Sequence, residues 1–135
     1  MKGGRAVLIA ALLLARCTPP PDVNAGNAGP YPANYKDLMA DYIKTTFFDP
    51  YSLRDVKLSK PFPSRTGWGV GWAVCLTLNA KNRMGGYTGL STDYYEIDGS
   101  TVERQDRFVP FVGDQCAPAV MEPWPEMDSG TKAAK

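Results

Sequence analysis

Asp93, Glu96 and Asp98 place three carboxylates in one short stretch. Paired carboxylates can act as acid and base on a glycosidic bond, or they can ligate calcium. The stretch lacks the calcium-loop pattern, and a solvated strand face accounts for the same residues. Ser64, Ser91 and Ser100 are nucleophile types, but the chain contains no histidine to activate them. The same lack removes the commonest general base and the commonest metal ligand. Gly85-Gly86-Tyr87-Thr88-Gly89 has the glycine density of a phosphate cradle. It lacks the Gly-Lys-Ser/Thr ending and the strand-to-helix setting that would aim amides at an anion, so its glycines read as hairpin-turn residues. What remains is a candidate binding group of two amides, an ammonium and an aromatic ring: Asn79, Lys81, Asn82 and Tyr87, with Arg83 beside them. Asn side chains also bond the local backbone in turns, which is the structural reading of the same residues. No catalytic residue, metal ligand or cofactor is expected, and the chain reads as a non-enzyme.

These residues sit in a run of strand signals. Val70–Asn79, "VGWAVCLTLN", alternates with period two: Val70, Trp72, Val74, Leu76 and Leu78 on one face, Gly71, Ala73, Cys75, Thr77 and Asn79 on the other. The small residues leave room for a close neighbour and put Cys75 off the main core face. Tyr87–Ile97 is rich in Tyr and Thr, as strands are. Asp98-Gly99 separates it from Ser100–Arg107 and predicts a type I′ hairpin turn. "FVPFVGDQC" continues that strand, with Pro110 confining it to an edge. Arg54–Leu58 alternates weakly and suits a short edge strand, ended by Pro61 and Pro63. Upstream, Tyr35, Leu38, Met39, Tyr42, Ile43 and Phe47 recur at helical spacing across Asn34–Phe47. Asn34 suits the N-cap, Asp37 the positive end of the helix dipole, and Asp49-Pro50 the stop. The polar face (Lys36, Asp37, Asp41, Lys44) is net neutral, which favours core packing over a membrane surface. The expected fold class is α+β: one N-terminal amphipathic helix packed on an antiparallel β-meander of three strands, or four with the edge strand.

The ends differ in composition. "MKGGRAVLIAALLLAR" has a basic start and a ten-residue apolar run, Ala6–Ala15. As a helix that run spans about 15 Å, short of the roughly 20 residues a bilayer requires, and it has the shape of a secretory signal. Leu14-Ala15-Arg16-Cys17 resembles a bacterial lipobox, although Arg16 stands where a small residue is usual. That resemblance implies diacylglyceryl transfer to Cys17 and cleavage before it; multiple acyl chains anchor stably where one binds marginally. The alternative is ordinary signal cleavage after Val23-Asn24-Ala25. Residues 18–31 are Pro, Gly, Ala and Asn with little to bury, a tether. The expected organisation is a signal peptide over 1–16, a lipidated Cys17 and linker over 17–31, one domain over 32–116, and an irregular tail over 117–135 with Trp124 tacking it down.

Removing residues 1–16 leaves 12 basic against 14 acidic residues, a charge of −2. With no basic block, nucleic acid is not an expected partner. Three cysteines is an odd number for an exported chain. If Cys17 is lipidated or removed, Cys75 and Cys116 remain, and an oxidising compartment favours their disulfide; no C-x-x-C motif suggests redox work.

"GWAVCLTLNAKNRMGGYTGLSTDYY" is similar to a W-x-V-C … N-A-K-N-x-x-G-G-Y-x-G signature of small uncharacterised proteobacterial lipoproteins. "LMADYIKTTFFDPYSLRD" matches their helix followed by Asp-Pro-Tyr-Ser, so the likeness spans about residues 31–105. It implies an envelope location and an α+β domain compatible with a disulfide, and it carries no activity. Thr18, rather than Asp, after Cys17 resembles an outer-membrane sorting signal. The functional expectation is a non-enzymatic, lipid-anchored protein on the periplasmic face of a bacterial membrane, the outer membrane ahead of the inner. There it would be an accessory or assembly module with an envelope protein partner. The alternative is a soluble exported module binding glycan or peptidoglycan through Asn79–Tyr87 and neighbouring tyrosines. A small carboxylate-dependent enzyme ranks last.

Overall fold

A computed structural model describes residues 22–105 and 115–132. Cys17, the expected signal peptide and most of "FVPFVGDQC" lie outside the described residues. Helix α1 spans Tyr35–Thr46 and is followed by strands β1 (Arg54–Ser59), β2 (Phe62–Thr66), β3 (Gly69–Lys81), β4 (Tyr87–Asp98), β5 (Thr101–Arg104) and β6 (Met121–Pro123). A short helix, α2, covers Ser129–Lys132. The sheet runs β5-β4-β3-β1-β6, with β2 also paired to β3, and the described pairings are antiparallel. The fold is α+β, with six strands among the described residues where three or four were expected.

The added strands are β2 and β6, and the reason they escape a sequence reading is proline. Pro63 lies inside β2, opposite Trp72, and Pro123 ends β6 opposite Lys57. Proline removes a ladder donor, so it marks a strand as broken unless the strand bonds on one side only. Among the described residues, β2 pairs only with β3, and β6 only with β1. The expected edge position of β1 is corrected by the same pairing: β1 is interior, because β6 lies along its outer side.

The alternation in β3 organises two layers. Trp72, Val74, Leu76 and Leu78 are buried with Met39 and Ile43 of α1, together with Leu53, Val56, Tyr95 and Ile97. Tyr35, Leu38, Tyr42 and Phe47 pack around this core, so the apolar stripe of α1 faces the sheet as its spacing predicts. Tyr42 meets Tyr95 edge-on, with ring centroids 5.3 Å apart. A 12-residue helix is marginal alone. Complete burial of Met39 and Ile43 contributes about 1.5–3 kcal/mol each toward holding it. The Asn34 side chain makes no capping hydrogen bond; its backbone carbonyl accepts from Asp37 and Leu38 instead.

On the other face Ala73, Cys75 and Tyr94 form a second cluster, covered by Phe62, Cys116, Ala119 and Met121. Cys75 and Cys116 are joined by a disulfide with Cα atoms 5.9 Å apart. Residues 117–132 of the segment expected as an irregular tail are therefore part of the domain. The Trp124 N–H donates to the Val56 carbonyl (2.8 Å), its side chain is buried in the main core, and Ser129 donates to Leu53 (2.8 Å). Asp128 accepts from the Val56 N–H at 3.1 Å, beside a bulge where Asp55 takes a φ of 55°. A bulge frees a ladder N–H, and this carboxylate satisfies it.

The β4–β5 hairpin forms, but one residue later than the dipeptide suggests. Asp98 pairs with Thr101, so the turn is Gly99-Ser100. Only Gly99 has positive φ (56°), the pattern of a type II′ rather than a type I′ turn.

The disulfide closes a 41-residue separation, which corresponds to about 4 kcal/mol of chain entropy removed from the unfolded state. Cys75→Ala with Cys116→Ala should lower unfolding stability by about that amount in urea titration; an unchanged midpoint would show that the link is thermodynamically idle. Burial raises the pKa of Tyr94 above 10.0, the Ser64 side chain pulls it down, and the Glu96 charge raises it further. The folded chain holds this proton more tightly than the unfolded one. Stability from this source is full below pH 10.0 and is lost as pH climbs through the raised value. Tyr94→Phe should flatten the alkaline loss, read as urea midpoints at about pH 8 and about pH 11.

Candidate functional site

The four residues expected to bind meet at one end of the β3–β4 hairpin. Lys81 and Tyr87 face each other in register. The Tyr87 hydroxyl donates to the Ser52 carbonyl (2.9 Å), and its ring carries the Arg54 guanidinium at 4.3 Å and the Lys81 ammonium at 5.4 Å. Lys81 also lies 3.7 Å from Asp49. The Asn82 side-chain oxygen accepts from the Met84 and Gly86 N–H groups, and that of Asn79 accepts from Gly89. Gly85, at a φ of 82°, completes the turn. Each of these side chains therefore has an internal partner: the amides shape the loop, and Tyr87 fastens the segment after α1 to the hairpin.

The carboxylates are divided between faces. Asp93 lies opposite Leu76 on the helix side and pairs with Arg104 at 3.0 Å. Glu96 lies opposite Ala73 on the other side. It is buried, and its carboxylate accepts from the Gly67 N–H at 3.0 Å. Glu103 stands directly across from Glu96, and Asp98 is next along the same face. Among the described residues no ion pair joins Glu96, Asp98 or Glu103 to a cation. Nor do any three acidic or thiol groups among them converge as a metal site would require.

The opposite end of β3 carries a different surface. Residues 22–31, expected to be a tether, lie partly against the sheet there: Ala28 is buried, Tyr31 meets Trp72 edge-on at 5.1 Å, and the Trp72 indole donates to the Gly29 carbonyl at 3.3 Å. This creates a groove of about 480 Å³ lined by Tyr31, Trp68, Val70, Trp72, Ile97 and Asp98. Partial burial holds the Tyr31 pKa above 10.0, and the neighbouring Tyr35 adds to the effect. A second hollow of about 260 Å³ opens beside the groove, lined by Trp68, Glu96, Asp98, Thr101 and Glu103. Trp68 and Asp98 border both.

Trp68 is the residue the sequence reading missed. It sits in the two-residue turn between β2 and β3, since Thr66 pairs with Gly69. The turn is braced twice, by Glu96 on the Gly67 N–H and by the Thr66 hydroxyl on the Trp68 N–H (3.3 Å). Yet the tryptophan is 69% exposed. The available signal was Gly67-Trp68-Gly69 itself, a large aromatic between glycines where a turn residue is expected. A further hollow of about 470 Å³, between α1 and the C-terminal segment, is lined by the balanced charges Lys36, Lys44, Asp37 and Glu126 beside Tyr51.

The chain matches no protein-family model, no curated protein and no solved structure.

Glu96→Ala would strip the Gly67 N–H of its acceptor. The variant should lose about 1–3 kcal/mol of stability, and Trp68 should gain local motion. Time-resolved fluorescence anisotropy of a variant retaining Trp68 alone would detect that motion; unchanged anisotropy would show that Glu96 does not hold the turn.

Proposed function

We propose that the chain is a lipid-anchored, non-enzymatic protein of the bacterial cell envelope that works as an accessory or assembly module through a protein-binding surface. The observation that carries this reading is the Cys75–Cys116 disulfide. It accounts for two of the chain's three cysteines and suits an oxidising compartment, so Cys17, after Leu14-Ala15-Arg16, has no disulfide role left to fill. The likeness to small proteobacterial lipoproteins supports the same location.

The packing of residues 28–31 adds a geometric consequence. The chain from Cys17 to Ala28 can span at most roughly 40 Å when fully extended. An anchor at Cys17 would therefore keep the Trp68 end of the sheet within that distance of the membrane. The exposed aromatic on a braced turn supports binding work there, because large apolar side chains held rigidly in water characterise recognition surfaces. The Tyr31–Trp72 groove also suits a sugar ring, which favours a soluble exported glycan- or peptidoglycan-binding module as the second reading.

Metabolic labelling with a fatty-acid analogue should label the wild type and leave Cys17→Ser unlabelled. Mass measurement of the mature N-terminus should find a diacylated Cys17. An unmodified chain starting near Gly26 would overturn the anchor. Retention of wild type on isolated cell wall, lost in Trp68→Ala, would decide for the second reading.

A further inference from the structure

We propose that the Trp68 end of the sheet binds a cationic peptide segment of a partner protein, with a Lys or Arg side chain held between the Trp68 ring and the Glu96, Asp98 and Glu103 carboxylates. The inference rests on the reading of the chain as a protein-interaction module.

Charge complementarity identifies the occupant. Glu96 and Glu103 are directly opposed on one sheet face, and like charges in that position repel. Asp98 adds a third negative group to the same hollow, and among the described residues no basic side chain lines it. Arg104, the nearest base in sequence, pairs with Asp93 on the other face. A cation entering from outside would relieve this repulsion. The carboxylates do not converge as metal ligands. Their companion in the hollow is an aromatic ring, which is a partner for an ammonium or guanidinium rather than for a hydrated metal ion.

The neighbouring groove selects the residue next to the cation. Tyr31, Val70, Trp72 and Ile97 provide an apolar channel, and Trp68 forms a wall common to channel and hollow. An extended peptide can therefore lay its basic side chain in the hollow and an apolar neighbour in the groove. A polyanionic glycan would meet Asp98 and Glu103 with the wrong sign. Besides contributing charge to the hollow, Glu96 positions Trp68, since its carboxylate holds the Gly67 N–H and so the turn that presents the ring.

The test titrates the exported chain with acetylated tri-arginine amide, with tri-glutamine and chitotetraose as controls. Amide and indole N–H signals are followed by NMR. Tri-arginine should shift Trp68, Gly67 and Gly99 saturably, leave Trp124 in place, and bind more weakly as salt rises. Trp68→Ala should weaken binding about tenfold, and Glu103→Gln about two- to fivefold. Both positions are exposed, so these variants keep the fold. Lys81→Ala should change nothing. Equal shifts with tri-glutamine, a response to chitotetraose instead, shifts centred on another face, or no response to tri-arginine would each overturn the proposal. Failure here alongside a lipid-labelled Cys17 leaves the envelope reading standing. An unlabelled Cys17 with intact tri-arginine binding removes the anchor and keeps the site.

Discussion

The alternation of large and small side chains along β3 is the constraint on which the rest of the fold depends. Trp72, Val74, Leu76 and Leu78 need an apolar cover, and α1 supplies it. Ala73 and Cys75 leave a shallow opposite face, so a second layer can approach closely enough for a covalent link to Cys116. A strand with large residues on both faces would bury both against thick layers, and about 100 described residues cannot supply two such layers. The disulfide and the segment carrying Cys116 and Ala119 let a thin second layer suffice.

β3 is also long enough, at 13 residues, to serve two neighbours on one edge. β1 bonds its C-terminal half and β2 its N-terminal half. The two ends of β3 consequently have different surroundings. At the Lys81 end, polar side chains are engaged in bracing the hairpin and the segment after α1. At the Gly69 end, the N-terminal segment arrives at Trp72, and the β2–β3 turn projects Trp68 beside the β4–β5 turn. The surface proposed to bind is thus assembled from three stretches distant in sequence: the N-terminal segment, the β2–β3 hairpin and the β4–β5 hairpin.

Asn79, Lys81, Asn82 and Tyr87 stood out because their types are chemically capable and their positions adjacent. The structure shows how such residues can be absorbed internally: the short Asn82 side chain reaches its own loop backbone, and the Tyr87 hydroxyl reaches the Ser52 carbonyl in the distant segment after α1. Asp93, Glu96 and Asp98 looked like one cluster because sequence distance hides parity. Strand side chains alternate, so Asp93 points with the helix layer while Glu96 and Asp98 point away from it. Glu103, which completes the acidic hollow, is brought in by a hairpin whose register depends on turn type.

Sequence alone determined the amphipathic face of α1, the parity of β3, the position of Cys75 off the main core, and a hairpin near Gly99. Each is a local periodicity or a backbone preference, expressed within a few residues and insensitive to what lies across the sheet. Only the tertiary structure decided that β1 is interior, that proline-bearing β2 and β6 belong to the sheet, that residues 28–31 pack rather than float, and that Trp68 stands between a groove and three carboxylates. Those outcomes depend on which free strand edge and which uncovered face a distant segment meets. A hydrogen-bond ladder accepts any backbone of the right shape, and an apolar face accepts any side chain that fits it, so neither leaves a local mark on the segment that arrives.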